Sequence, residues 1–110
     1  MLKKSFRLTL AKPLKFDKKF KTDLFILEIG ESFDPYPRFA VVVPTKFCKK
    51  ANARNRTKRL VFEGLSLLKD KVKISNYKIL VLGNFSKLKL AQVYKSLEKV
   101  FDKADLLINA

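Results

Sequence analysis

Hydrophobic positions along the chain repeat with two different periods. Short apolar runs at 23–29, 38–44 and 77–83 have the length and composition of β-strands. Two longer segments, 53–72 and about 87–103, repeat apolar residues every three or four positions, as amphipathic helices do. A short first helix is predicted from Pro13, because proline suits the first helical position. The pattern predicts an α+β fold, a small two-layer sandwich with helices packed on a short mixed sheet.

The predicted helices each have one apolar face. Asn52 is the predicted N-cap of the helix over 53–72, and Asn84 or Ser86 that of the last helix. In the first helix, Phe16 and Phe20 are four residues apart and share a face. The predicted buried face of the middle helix consists of Thr57, Leu60, Val61, Gly64, Leu65, Leu68 and Val72. That of the last helix consists of Leu90, Val93, Leu97, Val100 and Phe101.

Composition limits the possible chemistry. A chain of 110 residues forms one domain, predicted over 1–110. It contains no His, which excludes His-dependent nucleophilic sites and His-ligated metals, and one cysteine, Cys48, which excludes an intrachain disulfide. No run approaches the roughly 20 apolar residues that span a bilayer. We therefore expect a cytoplasmic protein with no catalytic residue and no metal site of its own.

Positive charge dominates the sequence and is concentrated before residue 60. The chain has 25 Lys and Arg against 10 Asp and Glu, a net charge of +15, and such an excess favours a polyanionic partner. The stretch ARNRTKRL at 53–60 begins the middle helix, where cations oppose the helix macrodipole. Their presence there indicates a ligand, and the arginine fork matches phosphate oxygens.

At this stretch the sequence resembles the protein subunit of bacterial ribonuclease P, the ribonucleoprotein that trims the 5′ end of precursor tRNA. The family signature Arg-Asn-Arg-x-Lys-Arg, followed four residues later by an acid, is similar to 54–59 with Glu63. The segment 43–46 is similar to the end of the family's strand before this helix. Phe16 and Phe20 match an aromatic pair on the family's first helix. The likeness covers nearly the whole chain.

The resemblance implies a role in tRNA processing without catalytic side chains. The catalytic RNA and its Mg²⁺ ions perform the hydrolysis, and the partners are that RNA and precursor tRNA. It also implies a left-handed β-α-β crossover around the basic helix, although right-handed crossovers are general. The implied leader-binding residues are Phe16 and Phe20. The predicted RNA-binding residues are Lys46, Lys49, Lys50, Arg54, Asn55, Arg56, Lys58, Arg59 and Phe62.

Some interpretations stay open, and some features depart from the family. Phe62 is predicted on the polar side of the helix, where it either stacks on RNA or folds against Lys58. Leu82-Gly83-Asn84 replaces a basic strand end, and Glu28 takes a place that is often aromatic, which predicts a shallower and less basic leader cleft.

Other functions are weighed against this one. The main alternative is a structured-RNA-binding protein of the ribosomal type, without a role in cleavage. A DNA-binding module would require dimerisation or a helix-turn-helix partner, and membrane adhesion would require large apolar residues beside lysines. We expect neither DNA nor a membrane as partner.

Overall fold

The computed structural model describes residues 6–8, 16–32 and 35–108. Five of the predicted elements are present in the predicted order, with their boundaries shifted by a few residues. The elements are β1 (Lys18–Lys21), β2 (Phe25–Gly30), β3 (Arg38–Val42), α1 (Ala51–Leu68), β4 (Asn76–Val81) and α2 (Leu90–Lys103). The two helices pack on a four-stranded mixed sheet, as the predicted α+β sandwich requires.

The prediction of a first helix that includes Phe20 is wrong. The structure has strand β1 at 18–21 and no helix at 16–17, and the start of the predicted helix, 13–15, lies outside the described residues. β1 pairs antiparallel with β2, from Lys18 opposite Ile29 to Lys21 opposite Ile26. The edge of β2 offers a complete ladder of backbone partners to this segment. Those hydrogen bonds outweigh the local helical pattern, because a buried strand edge needs its partners.

The sheet order places two parallel strands side by side. The order is β1-β2-β4-β3, with β2 antiparallel to both of its neighbours and β3 parallel to β4. Helix α1 therefore forms the crossover of a β-α-β unit between adjacent parallel strands. The left-handed sense of this crossover stays a prediction.

The two faces of the sheet differ in burial. One face carries Phe25 and Leu27 of β2 and Ile79 of β4, all fully buried beneath the helices. The opposite face carries half-buried residues of mixed character, since Ile26 lies opposite Leu80 and Glu28 opposite Lys78. Burial thus alternates along β4, as it does on a strand with one covered face.

Three aromatic rings in mutual contact form part of the core. The ring centroids of Phe39 in β3 and Tyr77 in β4 lie 5.4 Å apart, and the ring of Phe101 in α2 lies edge-on at 5.1 Å from that of Tyr77. All three side chains have no exposed surface. These contacts join α2 to the parallel strand pair.

Helix α1 buries more of its circumference than its sequence predicts. All seven residues of the predicted face are buried, although Val72 lies beyond the end of the helix, where it forms a bridge with Leu107. Phe62 is only 7% exposed, so its predicted place on the polar side is wrong. The amino-terminal segment pairs with the edge of β3 through Arg7, whose guanidinium lies 4.9 Å from the centroid of the Phe62 ring. This second neighbour covers Phe62 and leaves its ring no open face on which to stack an RNA base.

Candidate nucleic-acid interface

The connections that follow β3 and β4 meet at one edge of the molecule. Because the two strands are parallel, their carboxyl ends lie side by side, and both connections start from that edge. The first connection, 43–50, leads into α1, and the second, 82–89, leads into α2. The basic stretch at the start of α1 therefore lies next to the second connection.

Arg54 holds the first connection against the start of α1. Its Nη1 donates to the carbonyl oxygens of Cys48 at 3.2 Å and Lys49 at 2.7 Å. The helix begins at Ala51 with Lys50 as N-cap, so the predicted cap Asn52 lies inside the helix instead. Lys50 is extended and supplies no side-chain cap, and the Arg54 side chain satisfies carbonyl groups just before it. Lys49 and Lys50 are exposed beside the helix.

Arg56 and Thr57 hold the second connection in place. The Nε of Arg56 donates to the carbonyl oxygen of Ser86 at 2.6 Å. Thr57 is fully buried, and its hydroxyl oxygen accepts from the backbone N–H of Phe85 at 3.1 Å. Neither Asn84 nor Ser86 caps α2, which begins at Leu90, and the Asn84 Oδ1 accepts from the Ser86 N–H at 2.9 Å instead. The side chain that was predicted as a helix cap closes a tight turn.

Replacing Thr57 by valine should destabilise the fold by about 1–3 kcal/mol, because the buried Phe85 N–H would lose its acceptor. The free energy of unfolding from urea denaturation measures this. Thr57→Ser keeps the hydroxyl and should recover most of the loss. A loss for Thr57→Val smaller than that for Thr57→Ser would show that the methyl group, which valine keeps, matters more than the hydrogen bond.

The remaining polar residues that were predicted on α1 to bind RNA form an exposed surface, and its cations have no salt bridge among the described residues. Asn55, Lys58 and Arg59 are exposed, and the first turn of α1 contains no acid. Among the described residues, salt bridges join Lys69 to Asp70 and Lys78 to Glu28, and neither involves this surface. The positive potential is therefore left for a partner to neutralise. We call this set, together with Lys46, Lys49, Lys50, Arg54 and Arg56, the basic surface.

Sequence reasoning missed an aromatic ring beside this surface. Phe47, which is 37% exposed, lies in the first connection, and the Nζ of Lys46 lies 5.2 Å from its ring centroid. An exposed ring among cations can stack on a nucleobase. The signal in the sequence was an apolar residue isolated between lysines. The helical projection instead placed Phe62 among the cations and predicted it as the aromatic residue of this surface.

The two predicted leader-binding rings do not lie together on an open surface. Phe20 is opposite Leu27 in the ladder, so it lies on the helix-covered face and packs against the core. Phe16 precedes β1 and is half-buried. The opposite face of the sheet instead carries Lys19, Lys21 and Ile26.

Two further expectations concern metals and membranes. Among the described residues, no three His, Cys, Asp or Glu side chains come close enough to hold a metal ion. Neither described helix combines the length and the apolar character of a membrane-spanning segment.

Comparison with known proteins identifies the family. The family model described as Ribonuclease P matches residues 3–105.

The chain belongs to the ribonuclease P protein family.

Relatives and solved structures agree with this membership. A ribonuclease P protein component from Baumannia cicadellinicola subsp. Homalodisca coagulata is 31% identical over 68 residues, which are 62% of this chain. The match spans 59% of that relative's length. The ribonuclease P protein of Staphylococcus aureus superposes with a TM-score of 0.70 at 18% identity, covering 83% of this chain and 84% of that one. That of Thermotoga maritima superposes with a TM-score of 0.69 at 21% identity, covering 84% of each chain. At these identities, the two structures show that the ribonuclease P protein fold is shared.

Proposed function

We propose that this chain is the RNA-binding protein subunit of ribonuclease P. It acts in the cytoplasm and assists a catalytic RNA in removing the 5′ leader of precursor tRNA. The observation that carries the proposal is the exposed basic surface at the start of α1, which has no acid in its first turn. The like charges of such a surface repel one another in the free protein, and RNA phosphates neutralise them.

Within the basic surface the residues divide by their contacts. Lys58 and Arg59 are exposed with no salt bridge among the described residues, so we assign them to direct phosphate contacts. Arg54 and Arg56 hold backbone carbonyls, yet each guanidinium has five N–H donors and keeps some of them for RNA. Lys46, Lys49, Lys50 and Asn55 border these residues and extend the same contact.

The leader is proposed to lie on the sheet face opposite the helices. Single-stranded RNA binds where a cationic groove follows its backbone and apolar groups meet its bases. Lys19 and Lys21 supply cations there, while Ile26 and Leu80 supply apolar surface. Lys78 is paired with Glu28 at 3.4 Å, which reduces the positive charge of this face. Of the two predicted rings, the half-buried Phe16 remains the candidate for leader contact.

The protein contributes charge and positioning to the reaction. We assign the metal ions that ribonuclease P uses to the RNA. By neutralising phosphates, the protein lowers the Mg²⁺ concentration at which the RNA holds its fold. By binding the leader, it favours the precursor over the mature product, which lacks the leader.

The test is cleavage of precursor tRNA by a bacterial ribonuclease P RNA at low Mg²⁺, with and without this protein. We expect the wild type to raise the rate and Arg54→Ala/Arg56→Ala to remove most of that activation, because both the contacts and the loop positions are lost. Cleavage products are measured on denaturing gels. Tight RNA binding without activation, also with the cognate RNA, would instead indicate a structured-RNA-binding protein of the ribosomal type.

A further inference from the structure

The connection between β4 and α2 carries two lysines that the basic surface does not include. Lys87 and Lys89 are both exposed, while Leu88 between them is half-buried and packs against the core. Phe85, two residues before Lys87, is 2% exposed and accepts a backbone hydrogen bond from Leu88 at 2.9 Å. With Phe85 and Leu88 anchored inside, the lysines on either side of Leu88 remain in solvent.

Two hydrogen bonds hold this connection against the basic surface. Arg56 donates to the Ser86 carbonyl at 2.6 Å, and the buried Thr57 hydroxyl accepts from the Phe85 N–H. Lys87 follows Ser86 directly, so its backbone lies next to the second turn of α1. At its other end, the Lys89 N–H donates to the Gln92 Oε1 at 2.9 Å, which orders the residue beside α2. The positions of both lysines are therefore set by the fold.

The charge of this region is also uncompensated. The sequence has no Asp or Glu from residue 71 to residue 97, which includes the whole second connection. Holding the connection that carries Lys87 and Lys89 against Arg56 raises the repulsion within the free protein, and a polyanion that spans both connections removes it. A salt bridge to the protein's own acids would be the ordinary alternative, and the described residues provide none here.

We propose that Lys87 and Lys89 form a second part of the RNA-binding surface and contact backbone phosphates of the same catalytic RNA that α1 binds. This proposal rests on the proposed function. Arg56 and Thr57 join the two parts, so that one RNA segment crosses from the start of α1 to the connection before α2. Compact ammonium groups at these positions recognise phosphate charge and not base sequence.

The test compares two double variants that remove the same charge. Lys87→Ala/Lys89→Ala changes the proposed contact, and Lys95→Ala/Lys99→Ala removes two exposed lysines further along α2. Binding of fluorescently labelled ribonuclease P RNA is measured from 50 to 200 mM salt. Each lost phosphate contact lowers the slope of log K against log salt by about 0.7–0.9. Between 50 and 200 mM salt, the affinity of the first variant should therefore fall by a factor about ten times smaller than that of the wild type. The affinity of the second variant should fall as much as that of the wild type.

Each outcome decides the proposal. Equal slopes for the two double variants would overturn it, while wild-type binding and activation would leave the proposed function intact. A slope change seen only with precursor tRNA, and not with the catalytic RNA alone, would also overturn it, because the contact would belong to the substrate. Wild-type protein that neither binds the RNA nor activates cleavage would overturn the proposed function, and this proposal with it. Circular dichroism verifies that both variants are folded.

Discussion

Replacing Lys58 and Arg59 by alanine should lower the affinity for ribonuclease P RNA by about 30- to 700-fold at physiological salt. Both side chains are exposed on α1 and form no salt bridge among the described residues, so their loss removes RNA contacts and leaves the fold intact. Each charge-assisted contact to phosphate contributes about 1–2 kcal/mol, and a factor of ten corresponds to about 1.4 kcal/mol.

The measurement is a binding titration at fixed salt together with the thermal midpoint of each variant. Lys95→Ala/Lys99→Ala removes the same number of charges from α2 and serves as the control. The midpoint of Lys58→Ala/Arg59→Ala should stay near that of the wild type. Arg54→Ala/Arg56→Ala should lower both affinity and midpoint, because those arginines also hold the two connections. Wild-type affinity in the Lys58 and Arg59 variant would place the RNA elsewhere.

Replacing Phe101 by alanine should lower the free energy of unfolding by about 3–5 kcal/mol. The ring is fully buried, and its centroid lies 5.1 Å from that of Tyr77 and 6.4 Å from that of Phe39. Its removal leaves a cavity where α2 meets the parallel strands. A domain of this size is stable by only about 5–15 kcal/mol, so a large part of the variant would be unfolded at growth temperatures.

Urea denaturation with an unchanged m-value measures this loss. Phe47→Ala removes the same ring from a site that is 37% exposed and should change stability by about 0.5 kcal/mol or less. Phe101→Leu keeps most of the volume and should lose clearly less than the alanine variant. A loss for Phe101→Ala no larger than that of Phe47→Ala would contradict the central place of this ring in the core.

The local hydrophobic pattern was sufficient to predict an element where the segment has one covered face. The apolar stripe of α2 at Val93, Leu97, Val100 and Phe101 was predicted from spacing alone and is buried. The strands β2, β3 and β4 were predicted from short apolar runs because each is buried by a neighbour on at least one face. In these segments the hydrophobic period and the tertiary contacts agree.

Local pattern failed where a segment has a second neighbour. Phe62 lies among cations in a helical projection, but the Arg7 segment, far away in sequence, covers it. Phe20 has helical spacing to Phe16, but the segment that contains Phe20 forms a strand because it pairs with the edge of β2. A single helical wheel or apolar period contains no information about such remote partners.

The sequence by itself determined the chemistry of this protein: an excess of cations, arginines at the start of one helix, and no histidine. These properties depend on residue identity and short-range order, which local physics determines. The tertiary structure alone decided which cations form one surface. The connection that carries Lys87 and Lys89 is held against Arg56 because parallel β3 and β4 end at the same edge and the Arg56–Ser86 hydrogen bond brings their connections together. That proximity joins residues 30 positions apart in sequence, and only the packed fold creates it.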